Sequence, residues 1–107
     1  MERLDNSQEL WELLAREFIK SHQDFLLHSQ NNLAHNALEA LRLNLHTLKG
    51  SASAIGADLL TLEAEHLEQK LKQGQTLNRD ELSQQLQRLN TLLQRCLHYL
   101  EQELAEH

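Results

Sequence analysis

The chain has 107 residues and a mass of 12.4 kDa, enough for one domain, whose folding would shrink roughly 18,000 Å² of extended-chain surface to about 6,100 Å². Its 26 Leu, 9 Ala and 11 Gln against no Val, two Ile and four Thr exclude a sheet protein, because pleated surfaces favour β-branched side chains. A net charge of −6 without any Lys/Arg run offers no footprint for nucleic acid, and no apolar run approaches the about 20 residues of a bilayer span.

With no Pro and only three Gly to interrupt it, the chain is expected to be all-α, with helices at about 6–30, 36–55, 58–73 and 78–105. Three starts carry the same device, an Asn able to cap a free backbone N–H with a Glu three residues later to return the bond: Asn6 with Glu9, Asn36 with Glu39, and Asn78 with Glu81. The start at Asp58 is weaker. Gly56 and Gly74 mark stops, where a helix end favours a left-handed residue. In the first helix Trp11, Leu14, Phe18, Ser21 and Phe25 share a stripe. In the second, Leu38, Leu41, Leu45, Leu48, Ala52 and Ile55 step by threes and fours, as do Leu60, Ala64, Leu67 and Leu71 in the third and Leu82, Leu86, Leu89, Leu93, Cys96 and Leu100 in the fourth. Such seams belong to near-antiparallel helices crossing at about 20°, and short connections force neighbours to run antiparallel. One domain over 1–107, an antiparallel up-down-up-down four-helix bundle, is the expected architecture.

A bundle names no function, so the seven His residues are the place to look. No His-x-x-x-His, no His-Glu-x-x-His and no thiol to pair with Cys96 suggests a metal site, and none is expected; a nucleophile elbow and a Gly-rich phosphate loop are missing too. The stretch Leu45-His46-Thr47-Leu48-Lys49-Gly50-Ser51-Ala52-Ser53-Ala54-Ile55-Gly56 differs from ordinary bundle sequence. Gly50 sits mid-helix, where it costs about 1 kcal/mol relative to Ala and serves no turn. Lys49 lies about 60° to one side of His46 and Gly50 about 40° to the other. His46, with Arg42, Lys49 and Ser53, runs along the solvent-facing edge of the seam, and the small residues after Gly50 clear bulk from around the ring.

An accessible imidazole beside an ammonium group on a stiff scaffold suits attack on a phosphoryl group. A free imidazole is mostly neutral near pH 7, Lys49 can offset the nearly two negative charges of a phosphorylated ring, and low bulk lets a second protein bring an acyl phosphate in line. The other ring nitrogen then needs an acceptor. Glu68 on the antiparallel third helix is best placed, with Gln69 as the alternative.

His46-Thr47-Leu48-Lys49-Gly50-Ser51-Ala52, then Ile55-Gly56-Ala57, Leu59-Leu60 and Leu67-Glu68, resembles the signature of histidine-containing phosphotransfer (HPt) domains of bacterial phosphorelays. The likeness covers about 6–105, with its specific part in 42–69. It implies that His46 is the phosphorylated residue, Lys49 its charge partner, Gly50 the clearance residue and Glu68 or Gln69 the ring-orienting acceptor; Arg42, Ser53 and Gln69 are expected on the partner-binding face. One departure is Leu45, where many members carry Ala before the His, a change expected to alter the docking surface and not the nucleophile. The resemblance further implies a phosphoryl carrier without kinase activity of its own, exchanging phosphate with the Asp of response-regulator receiver domains. Those domains supply the Mg²⁺, so the carrier needs no cofactor. A hybrid sensor kinase is a further expected partner.

The remaining His residues read as structural: His22, His28, His35 and His107 solvated, His98 at the edge of the last helix, His66 facing His46 without being a ligand. Cys96 reads as a core thiol. A lone cysteine and an N-terminus without the layout of a secretory signal fit the cytoplasm. Two other functions compete. A non-catalytic helical adaptor or dimerisation bundle would leave an apolar stripe exposed, and an autokinase dimerisation module would need a Pro-bearing box after the His, whereas this chain has no Pro.

Overall fold

A computed structural model describes residues 2–73 and 78–106, with side chains from Gln8 onward. Among these residues every element is helical: α1 (Glu2–His22), α2 (Phe25–Ala34), α3 (Leu38–Ala54), α4 (Asp58–Lys72) and α5 (Arg79–Glu106). The pair α1 and α2 forms one column of a four-helix bundle and packs on α3 and α5, and α4 also packs on α3 and α5. The bundle measures 53 × 22 × 19 Å. Its elongation explains an accessible surface of 7197 Å², above the about 6,100 Å² expected for an average monomer of this mass.

The helix expected over 6–30 is therefore two helices, and it starts earlier. Asn6 lies inside α1 rather than capping it, because nothing before it in the sequence breaks a helix. The interruption falls at Gln23 and Asp24, both exposed; Asp competes with its own backbone for hydrogen bonds and is a weak helix-interior residue. The buried stripe passes through the break in step, as Ala15, Phe18, His22, Phe25, Ser29 and Leu33, which is why the period alone reads as one helix. That stripe also corrects the expected one. Leu14 is 37% exposed and Ser21 is exposed, while Ala15 and His22 take the inward positions.

His22 is buried rather than solvated. Its ring lies 4.8 Å from that of Phe18, tilted by 52°, and burial pushes its pKa below the ordinary histidine value.

The junctions before and after α3 are built alike. At the end of α2 the Asn36 N–H bonds to the Leu33 carbonyl at 3.1 Å and the Ala37 N–H to that of Asn32 at 2.7 Å. At the end of α3 the Gly56 N–H bonds to Ser53 at 3.1 Å and the Ala57 N–H to Ala52 at 2.9 Å. These are paired C-terminal closures around a left-handed residue, Asn36 at φ 54° and Gly56 at φ 80°. Asn36 thus ends α2 instead of capping α3, whose N-cap is Ala37 without a side-chain cap bond; Asn is the commonest non-Gly residue able to take this conformation. Asn78 does cap α5, its Oδ1 accepting the Asp80 N–H at 2.8 Å. The stop expected at Gly74 lies outside the described residues. Gly56→Ala should cost about 1–2 kcal/mol and lower the melting temperature by several degrees, whereas Asn36→Gly should be neutral or stabilising; thermal unfolding of both variants checks the assignment.

The core is mostly leucine. Leu41, Leu45, Leu48 and Ala52 of α3 are fully buried, joined by Leu60, Ala64 and Leu67 of α4 and by Leu82, Leu86, Leu89, Leu93, Leu97 and Leu100 of α5. Leu45 therefore faces inward and does not alter a docking surface as expected from the sequence. Cys96 is half-buried against this core, and burial raises its thiol pKa.

Candidate functional site

Because α3 commits Leu41, Leu45, Leu48 and Ala52 to the core, the helical period leaves Arg42, His46, Lys49, Gly50 and Ser53 on or beside its outer face. His46 stands out furthest, with 61% of its side chain exposed. Gly50, one turn on, opens onto empty space: a β-carbon built there would meet nothing within 4 Å. The glycine is thus not required by packing inside the bundle. Ser53 is exposed on the same face.

Against this exposed ring stands a buried carboxylate. Glu68 sits on α4 with 4% of its side chain exposed, and its Oε2 lies 3.0 Å from His46 Nδ1. Its Oε1 meets Lys49 Nζ at 2.8 Å, an ion pair rather than an aligned hydrogen bond. Gln69, half-buried next to it, makes no hydrogen bond to the ring. Arg42 Nη1 is 3.6 Å from Glu68 Oε2, and the same guanidinium grips Glu39 through Nη2–Oε1 at 2.6 Å and Nε–Oε2 at 3.1 Å. The Glu39–Arg42 pair escaped the sequence reading, although Glu39, Arg42, His46 and Lys49 follow one helix face at steps of three, four and three. His66 is turned away from His46 and lines a groove between α4 and α5 with Lys70 and Arg88.

Burial alone would push the Glu68 carboxyl up. The Lys49 ammonium at 2.8 Å and the hydrogen-bonded His46 ring together outweigh burial and hold it below its ordinary value. An ionised carboxylate only accepts hydrogen bonds, so His46 Nδ1 carries the proton of the shared bond. The lone pair of the neutral ring is then on Nε2, the nitrogen not held by Glu68. Buried charge, oriented ring and open approach are the arrangement a nitrogen nucleophile needs.

The same pairing predicts a pH dependence. A carboxyl group held low in the folded state contributes stability that is present above its ordinary value of 4.5 and lost as the pH falls through the folded-state value. The stability difference between the parent chain and Glu68→Gln should therefore shrink as the pH falls below about 5. Titration of His22 is common to both chains and cancels. Urea unfolding at stepped pH measures the difference, and a difference that stays flat to pH 3 would remove the ion pairs from the account.

No curated protein and no solved structure matches this chain. The family model of the Hpt domain does match, over residues 13–106, which takes in all of α2 to α5 and the C-terminal part of α1 from Leu13. The chain belongs to the Hpt domain family.

Proposed function

We propose that this chain carries a phosphoryl group in a multistep phosphorelay, with His46 receiving it from the aspartyl phosphate of one receiver domain and passing it to the aspartate of another. Hpt domains are phosphotransfer carriers in two-component systems rather than kinases, and they interact with response-regulator receiver domains. The observation that carries the reading here is the ring of His46, tethered through Nδ1 to a buried carboxylate and open at Nε2.

The step balances without a proton donor. The Nε2 lone pair forms the N–P bond as the acyl P–O bond breaks, and the aspartate carboxylate departs with the bonding pair. The ring keeps its Nδ1 proton and gains positive charge, which Glu68 stabilises. Retention of that proton keeps the imidazole a good leaving group for the return step, so the phosphoryl group remains transferable. Lys49 stands within reach to offset charge on the phosphoryl oxygens, and Gly50 leaves the in-line approach clear. Any Mg²⁺ belongs to the receiver domain.

Among the described residues no helix is long and apolar enough to cross a membrane, and we place the relay step in the cytoplasm. Leu10 and Leu13, 58% and 65% exposed on α1, also fit the adaptor alternative, which needs an apolar stripe. The two readings separate in one experiment. Incubation with a phosphorylated receiver domain and Mg²⁺ should transfer an acid-labile, base-stable label to this chain; an acid-stable label, or none, overturns the carrier reading.

A further inference from the structure

Glu68 has two cations on it where one would complete the arrangement just described. Lys49 occupies Oε1 at 2.8 Å. Arg42 approaches Oε2 at 3.6 Å, the oxygen already holding His46. The two differ in freedom. Lysine is a point charge on a flexible stem, whereas a bidentate guanidinium is fixed in place, and here Glu39 does the fixing at 2.6 and 3.1 Å. Among the described residues every ion pair to Glu68 comes from α3. On the side of α4 and α5 the charged groups Glu63, Lys70 and Arg88 line a separate groove, and on the side of α1 and α2 a cavity beside Thr47 is lined by His22 and His28.

That arrangement matters once Nε2 carries a phosphoryl group. The new dianion competes for the mobile ammonium of Lys49, and each approach of Lys49 to it leaves the buried carboxylate with only Arg42 and the ring, whose positive charge the attached dianion offsets, on its side. A buried carboxylate short of positive charge takes up a proton, and Glu68 would then no longer be restricted to accepting the Nδ1 hydrogen bond. We propose that Arg42, clamped by Glu39, is the standing counter-ion of Glu68, a positioning residue that keeps the carboxylate on His46 Nδ1 while Lys49 turns to the phosphoryl group. The inference rests on the carrier reading and assigns Arg42 inward, to Glu68, in addition to the partner-binding face on which the sequence placed it.

Carbon-13 NMR of the Glu68 carboxyl, followed against pH, tests this on the whole chain before and after phosphorylation by phosphoramidate, in which the N–P bond to His46 forms as ammonia leaves. Arg42→Gln should raise the Glu68 midpoint by roughly one pH unit in the phosphorylated chain and by clearly less in the unphosphorylated chain, where Lys49 still serves. Glu39→Gln should shift it part of the way, and Arg42→Lys should restore part of the loss. A midpoint unmoved by Arg42→Gln, or moved equally in both states, overturns the proposal while leaving the carrier reading intact. Failure of the parent His46 to take up the phosphoryl group overturns that reading and the proposal with it.

Discussion

A chain carrying His46→Gln should accept no label from a phosphorylated receiver domain, yet melt within about 4 °C of the parent. Both halves follow from where the ring stands. The side chain is 61% exposed and its one hydrogen bond runs to Glu68; the amide of Gln can supply that bond, so little stability is at stake. Among the described residues the chemistry has no substitute. His28, His35, His66 and His98 are also exposed, but none pairs with a carboxylate as His46 does, and His35 Nδ1 is engaged with the Asn31 carbonyl at 2.8 Å. His22 is buried. Label on the variant would move the acceptor to one of these rings, and loss of the fold would show that His46 is structural. An adaptor without chemistry predicts a third result: partner binding and signalling unchanged in the variant.

The bundle and the site were legible to different depths in the sequence, for physical reasons. Leucine at steps of three and four in α3, α4 and α5 is buried through the middle of each helix, where period and burial are the same fact seen twice; Leu38, in the first turn of α3, was expected on that seam and is 41% exposed, and Leu71, near the end of α4, is only partly buried. In α1 Leu13, Leu14 and Ala15 stand side by side, so a stripe drawn on hydrophobicity passes through Leu14, whereas the bundle places the smaller Ala15 inside. Asn36 shows another ambiguity. Asn caps helix starts and also tolerates left-handed backbone, and the sequence pattern Asn36…Glu39 fits the first use while the chain adopts the second. The break at Gln23 and Asp24 left no signal in the stripe, because the buried positions keep their spacing across it.

The site was easier to find than the fold's details because it violates bundle logic. A glycine in mid-helix and a histidine beside a lysine have no packing purpose, and the residues that packing does not explain are the ones on the open face. The approach of Glu68 could be narrowed by counting residues on either side of the Gly56 turn, but choosing between Glu68 and Gln69 required the rotation of α4. That rotation is set by Leu60, Ala64 and Leu67 pointing into the core, and it carries Glu68 toward α3. The hold of Glu39 on Arg42 is local to one helix face and was available in principle; the contact of Arg42 with Glu68 was not, since it depends on the distance between two packed helices.

Gly50 separates stability from function more sharply than any other position. A β-carbon there meets nothing within 4 Å, so Gly50→Ala should stabilise α3 by about 1 kcal/mol, the ordinary helix-propensity gain, and Gly50→Leu should fold at least as well as the parent, since Leu is nearly as good a helix former. Phosphotransfer should move the other way. A receiver domain must bring its aspartyl phosphate in line with Nε2, and a leucine one turn from the ring would hold the two surfaces apart by more than an ångström; displacement on that scale costs on the order of 100-fold in rate. Ala, smaller, should cost only part of this. The measurement is the transfer rate from a phosphorylated receiver at fixed Mg²⁺, set beside the melting temperature of each variant. Opposite trends along Gly, Ala and Leu would show that the helix tolerates its weakest residue for the sake of a visitor. Equal rates along the series would remove docking clearance as the reason for Gly50, and a fall in stability along it would mean that the glycine serves the bundle after all.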